Sequence, residues 1–436
     1  MEETYNKDTI RNNINIKLFP FYKMISWDLL FFYAIIFLYL VQVKNLSAPQ
    51  VLLADALYNV AVMLFAIPSG KVVDKIGKKN SVIIANVCVC IAVTILLFMN
   101  NFVHLVISYS IMAFGYSIKA IAENIILYDS IPSSPKRGKI FSLIDGKASS
   151  NYYYVDAISA IVTGFLYVVN PYIPMVLCLI MCIISTLISF RFEHTNIKTK
   201  SKTENNDKVT LKEAFKYVKT SKRIQYLILF YGVCSGLLYV LSSLRSSLFE
   251  DLNLNARYFG IIYAILQIVS GTTARFQNKV QNKFKNETLA VLAIPLTLSC
   301  VFIGILGGLQ TDNFIFSIII MLFITQNVIK GPYRGLIVRY MNNFTNRAIR
   351  TKLATLESLI YYGTSVIFSL LCSWLLARTT TANTLTIMGA VTTFLLGTLL
   401  YFMKGRVGLK PEEYPEEDLK YSHFNKENLA EKDTKN

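Results

Sequence analysis

The chain has 436 residues, of which 53% are hydrophobic and 16% charged, and a formal net charge of +17. Soluble domains hold about a quarter charged residues, and here the apolar excess lies in runs of about twenty, the length that crosses a bilayer. That excludes an ordinary soluble domain. The basic excess falls in short loops between the runs, where it marks topology, so nucleic acid is not expected as a partner.

In chain order the apolar runs are Tyr22–Val41, Val51–Pro68, Ser81–Met99, Phe102–Ser130, Phe141–Val169, Met175–Phe190, Ile224–Leu244, Tyr258–Arg275, Leu289–Leu309, Phe314–Tyr340, Leu353–Ala377 and Thr384–Met403. Backbone in lipid must satisfy its own hydrogen bonds, so each is predicted to be a helix. The fold class is an all-α membrane protein of twelve transmembrane helices in two six-helix pseudo-repeats. No cleavable signal peptide is expected, because the N-terminus is polar to Lys17 and no small-residue cleavage site follows the first run.

Loop charges set the orientation. Lys71, Lys75, Lys78, Lys79, Lys136, Arg137, Lys139, Lys279, Lys283, Arg347, Arg350 and Lys352 all fall on one side, with little beyond Lys44, Arg257 and Arg378 on the other. Both termini are therefore expected in the cytoplasm, with the plasma membrane of a bacterium as the location. The expected parts are an N-terminal segment 1–21, a first bundle 22–192, a cytoplasmic linker 193–223, a second bundle 224–403 and a disordered tail 404–436. In the linker, Thr210 and Glu213 have capping-box spacing. Leu211, Ala214, Phe215 and Val218 then form an apolar face, predicting an amphipathic helix that lies on the membrane as a spacer.

The halves align on each other. Matching Gly70 to Ala274 also matches Lys71 to Arg275, Asp74 to Asn278, Lys75 to Lys279 and Lys79 to Lys283. Further on, Arg137-Gly138-Lys139 answers to Arg350-Thr351-Lys352, and the i, i+4 pair Lys119 and Glu123 to Lys330 and Arg334. Three matches in one order indicate duplication of a six-span unit. Such parallel repeats place a substrate site between the halves, near the bilayer midplane.

Chemistry at depth is carried by ionisable residues, which are costly in lipid and usually have a task. They are Asp28, Glu123, Asp156 and Glu357 among the acids and Lys119, Lys147, Lys330 and Arg334 among the bases. Two accounts stay open: salt bridges that hold or gate the bundle, as Lys119–Glu123 would at i, i+4, or acids that trade a proton for substrate. Under the second account Asp28 and Asp156 lead as coupling acids, with Glu123 and Glu357 behind them. Lys330 and Arg334, with Lys119, are the cavity bases for substrate charge. Arg245, near a span end, is expected to snorkel. Tyr116, Tyr152, Tyr153, Tyr154, Tyr333, Tyr361 and Tyr362 either line a polar path or pack between helices. Cys88, Cys90, Cys178, Cys182, Cys234, Cys300 and Cys372 all lie in apolar runs and read as small buried residues, so no metal site or cofactor is expected.

Between the second and third spans stands Gly70-Lys71-Val72-Val73-Asp74-Lys75-Ile76-Gly77-Lys78-Lys79, a basic stretch with one acid, expected as a tight reversal with Gly70 and Gly77 as its permissive positions. It resembles the signature loop of the major facilitator superfamily: Gly, three residues, Asp, a base, one residue, Gly and two bases. The resemblance covers about Tyr22 to Met403. It implies alternating access by two rocking halves, usually as a monomer. It also implies a conformational latch of Gly70, Asp74, Lys75, Gly77, Lys78 and Lys79, in which Asp74 grips the opposite half when the inner side is closed and Arg137 joins the charge network. The Gly-Pro signature of the family's drug antiporters is missing from the fifth span, which runs Asn151-Tyr152-Tyr153-Tyr154-Val155-Asp156.

The functional expectation is a secondary transporter of small organic solutes, proton-coupled and leaning to efflux, with substrate, protons and the lipid bilayer as partners. The alternatives are a proton-coupled uptake symporter for a charged nutrient and a non-transporting sensor or scaffold on the same fold. His104, His194 and His423 are scattered and no nucleophile or phosphate-binding motif occurs, so an enzyme is not expected.

Overall fold

The computed structural model describes residues 13–132, 137–194, 211–274, 276–284, 287–309, 312–343 and 347–404. Within the helices, the side chains of Arg137, Asn278 and Arg334 lie outside the described residues, as do Thr210 of the expected capping box and the tail beyond Lys404.

Every regular element among the described residues is helical. The first half comprises α1 (Ile14–Ser26), α2 (Ile36–Leu38, continued by a π-turn over Tyr39–Val43), α3 (Ala48–Ile76), α4 (Lys78–Phe98), α5 (Phe102–Ser130), α6 (Arg137–Val169) and α7 (Tyr172–Phe190). The amphipathic α8 (Leu211–Thr220) precedes α9 (Lys222–Asp251), α10 (Ala256–Ala274), α11 (Gln277–Phe284), α12 (Thr288–Gly307), α13 (Asn313–Asn343), α14 (Arg347–Leu376) and α15 (Thr381–Met403). Ten of these are long and apolar enough to cross a membrane. The other two apolar runs are the interrupted α1–α2 segment and α10.

That interruption corrects the expected continuous helix over Tyr22–Val41. The helix stops at Ser26, residues 27–35 form turns, and Phe31 takes a left-handed φ of 61°. The cause is local competition. The carboxylate of Asp28 accepts the Leu29 backbone N–H at 3.0 Å, an alternative to the helical bond of the kind short acidic side chains provide. Irregular backbone survives at membrane depth only when it is buried in protein or lines a cavity. Leu29, Leu30, Phe32 and Ile35 of this segment are all buried.

The basic stretch is also not the loop expected from its composition. The helix α3 runs on through Gly70 and Asp74 to Ile76, and α4 begins at Lys78. Gly77 alone makes the reversal, at φ 86° and ψ 157°, a region open in practice only to glycine. At Gly70 the chain is simply helical, with open space where a Cβ would stand.

The described residues pack as two compact units. One draws on the described residues up to 194 together with 245–268, the other on those of 211–244 and 269–404. The first unit buries Phe19, Tyr22, Val73, Val82, Ala85, Ile118 and Ile126 in one cluster that joins α1, α3, α4 and α5. Between spans this cohesion is close packing rather than escape from water, since lipid tails are as apolar as the helices. At one span end, Lys44 donates to the Leu97 carbonyl at 2.8 Å, a cation at the C-terminus of α4.

In the second unit, α8 packs one face on its neighbours. Ala214 and Tyr217 are buried among Ile224, Leu353, Leu396 and Met403, while Phe215 is exposed. The packed face is thus Ala214, Tyr217 and the partly buried Val218, with Tyr217 in place of the expected Phe215.

Candidate functional site

The first unit gathers most of the ionisable residues placed at depth by the sequence. Asp28 sits in the gap after α1, half-buried, and its Oδ1 accepts from the Tyr33 hydroxyl at 2.6 Å and the Tyr116 hydroxyl at 3.1 Å. Trp27 beside it meets the rings of Tyr152 and Tyr153 edge-on, with centroids 5.2 and 5.3 Å away. An aromatic wall from the interruption after α1 and from α6 therefore flanks the acid. Tyr154 turns outward and is 56% exposed.

Asp156, midway along α6, is only 3% exposed. Its Oδ2 accepts from Gln267 Nε2 at 3.2 Å and faces the Tyr263 hydroxyl at 3.5 Å, both on α10. Gln267 also donates to Tyr263 at 3.0 Å, so the amide and phenol are held together as one acceptor-facing pair. One to two turns further along, α6 and α10 come into backbone contact. A Cβ on Gly164 would stand 2.9 Å from the Arg257 carbonyl oxygen, and one on Gly260 would fall on the Ala160 carbonyl. Small residues are what permit such close approach between membrane helices. Arg245 of α9 is half-buried within electrostatic reach of Tyr263.

A third group surrounds Lys119. Its ammonium donates to the Ser26 carbonyl and lies 3.7 Å from Glu123 Oε1. Glu123 accepts from the Tyr22 hydroxyl at 2.6 Å, and Tyr22 in turn accepts from Asn86 Nδ2 at 2.9 Å. Lys119 is 4% exposed and engaged in an ion pair. The i, i+4 pairing expected from the sequence is the geometry found. A small internal cavity lined by Ser26, Asp28, Asn86, Tyr116, Lys119 and Ser185, among others, separates this group from Asp28.

The remaining candidates are dispersed. Lys147 and Lys330 are exposed, and Glu357 is half-buried in the second unit. Tyr333 donates to the Tyr231 carbonyl at 3.1 Å and stacks on its ring, with Tyr361 and Tyr362 alongside. These tyrosines pack between helices. Asp74 is exposed and makes no ion pair among the described residues, whereas Lys78 pairs with the buried Asp129 at the end of α5. Gly70, Lys75 and Lys79 lie beside Asp74 along the end of α3 and the start of α4.

Several members were not foreseen. Gln267, Tyr263, Asn86 and Tyr33 supply the neutral donors, and Lys23 pairs with Asp145 at 2.5 Å to tie α1 to α6. The available signal was a lone amide inside an apolar run, as at Asn86 and Gln267, since a buried amide must find partners. A larger cavity of about 380 Å³ between α4 and α7, lined by Ile91, Ile95, Leu179 and Ile183 with only Cys90, Thr94 and Thr186 polar, offers no comparable chemistry.

Residues 21–349 match the family model described as Major Facilitator Superfamily. Among solved structures, the nucleoside transporter NupG superposes with a TM-score of 0.70 at 12% identity, over 91% of this chain and 99% of that one. A bacterial homologue of the human lysosomal transporter Spinster, inward-facing and unoccupied, gives 0.67 at 13% identity, over 92% and 97%. The D-xylose-proton symporter gives 0.59 at 14% identity, over 88% and 94%. At these identities the likeness is one of fold. No curated protein sequence matches the chain.

Proposed function

Because this chain belongs to the major facilitator superfamily, we propose that its work as a secondary transporter is to carry a small organic solute across the membrane by alternating access, with protons as the coupling ion. The observation that carries the reading is how Asp28 and Asp156 are held. Both lie within apolar runs of the sequence, and both accept only from hydroxyl, amide or backbone N–H donors among the described residues. A carboxylate in an ion pair is tied to its charged form. One held by neutral donors can gain or lose a proton without stranding a buried cation. Protonation of Asp156 would alter its bonds to Gln267 and Tyr263, and so the seam between α6 and α10. That is the differential contact a two-state transporter needs.

The substrate class rests on the aromatic wall of Trp27, Tyr152 and Tyr153 beside Asp28, which suits a solute with both apolar and polar parts. Neighbours named for nucleosides and D-xylose agree with a small organic solute. In the same reading Asp74 is the latch on the cytoplasmic side, both termini are cytoplasmic, and the chain works as a monomer.

The test begins with a thermal-shift panel of nucleosides, sugars, peptides, amino acids and drugs on purified protein, to choose a ligand. Flux of that ligand is then followed in proteoliposomes under an imposed pH gradient, whose effective sign gives the direction. Asp156→Asn is expected to abolish gradient-driven flux while leaving counterflow exchange. Gradient-driven flux at the wild-type rate would sink the assignment.

A further inference from the structure

The interruption of the first span leaves an unusual end. The helix α1 stops at Ser26 inside the protein, so its last carbonyls have no intrahelical donors and carry the negative end of the helix dipole. Broken helices of this kind present such carbonyls to cations. Here the end is already occupied. The Lys119 ammonium donates to the Ser26 carbonyl, faces Glu123 Oε1 at 3.7 Å, and lies 5.9 and 5.4 Å from the ring centroids of Tyr22 and Tyr116. A carbonyl at a helix C-terminus, a carboxylate and aromatic faces are together the surroundings of a cation site.

Two further observations show that this is a polar site and not only an ion pair. The Ser26 hydroxyl is fully buried beside Tyr22 and meets no partner within hydrogen-bond distance among the described residues. The adjoining cavity, lined by Asp28, Asn86, Tyr116 and Ser185 as well as Ser26 and Lys119, has room for about one water. Polar side chains of Ser26, Asp28, Asn86, Tyr116 and Ser185 therefore share one small cavity with Lys119.

We propose that this is a monovalent-cation site filled permanently by the Lys119 side chain. A tethered ammonium neutralises Glu123 and the end of α1 and holds the interrupted span in place. The first half then needs no sodium or potassium ion. Removing the ammonium while keeping its surroundings leaves a buried carboxylate without its ion-pair partner beside a carbonyl and a buried hydroxyl, and an alkali ion restores the charge lost. The inference stands on the packing of the first unit and does not need the proton-coupled reading; its test measures ion binding, so either can fail without the other.

The experiment is thermal unfolding of purified protein in sodium, potassium or choline chloride at constant ionic strength, for the wild type, Lys119→Ala and Lys119→Ala/Glu123→Gln. The wild type is expected to melt alike in all three salts. Lys119→Ala is expected to be stabilised by sodium or potassium over choline. A tenfold excess of ion over its Kd raises the folded-to-unfolded ratio about elevenfold. The double variant is expected to lose that dependence, because the carboxylate charge is gone. An alkali-specific shift in the wild type would overturn the proposal, as would a Lys119→Ala protein that gains none, that cannot be recovered in any of the salts, or whose dependence survives Glu123→Gln.

Discussion

Replacing Gly164 by alanine probes the seam on which the transport reading depends. The new Cβ would stand 2.9 Å from the Arg257 carbonyl oxygen and 3.0 Å from that of Ala256. Ordinary contact begins near 3.4 Å, and both obstacles are backbone at the start of α10, so neither can rotate aside. Relief requires α6 and α10 to part by roughly half an ångström at this point. Overpacking of this kind costs about 1–3 kcal/mol. If the seam is closed in one state of the transport cycle and open in another, the cost falls on the closed state alone. The equilibrium then shifts roughly 5- to 150-fold toward the open one. Spin labels at the exposed positions Val168 and Tyr258, in a background freed of native cysteines, would report the separation of the two helix ends by pulsed dipolar spectroscopy. The variant is expected to populate a longer distance than the parent. Gly363→Ala, where a Cβ meets nothing within 4 Å, is expected to leave the distribution unchanged. An unaltered distribution in Gly164→Ala, with the protein still folded, would refute the view that this seam opens.

Other consequences follow from the basic stretch. Gly77→Ala is expected to lose about 1–3 kcal/mol from backbone conformation alone, because φ is 86° and nothing crowds the site. Gly70→Ala, in helix with open space, is expected to be neutral or to gain up to about 1 kcal/mol; melting temperatures of the two purified variants compare them directly, and equal losses would contradict the local geometry. Asp74→Asn is expected to shift the transporter toward inward-facing states and Asn278→Ala to do little, as read by labelling of single cysteines in the cytoplasmic cavity. Equal effects would remove the latch role from Asp74.

Much of the molecule could be inferred from residue order. Bilayer length and hydropathy specify helices almost without alternatives, because lipid leaves unpaired backbone no solvent. That is why the runs near Phe102–Ser130 and Thr384–Met403 became α5 and α15 with little change. The same logic failed at the first span. Hydropathy sees Trp27 to Ile35 as lipid-compatible, but not that the Asp28 carboxylate takes the Leu29 N–H and is itself held by two tyrosines. It also stopped α3 short at Pro68, because lysines look like loop while the backbone stays helical to the first position that needs a positive φ, Gly77.

Sequence alone therefore determined the membrane-spanning helical class, the resemblance to the superfamily, and the set of residues from which a site could be made. It did so because span length, charge asymmetry and an i, i+4 pair such as Lys119–Glu123 are properties of near neighbours in the chain. What only the tertiary structure decided is how those residues are shared out. Lys119 meets the Ser26 carbonyl at the end of α1, and Asp156 answers to Gln267 across 111 positions of chain. Which donor faces a buried acid depends on how helices distant in sequence pack, and no local pattern encodes that. The basic stretch between α3 and α4 carries the resemblance to the superfamily, but the interruption of the first span beside Asp28 became visible only in the tertiary structure.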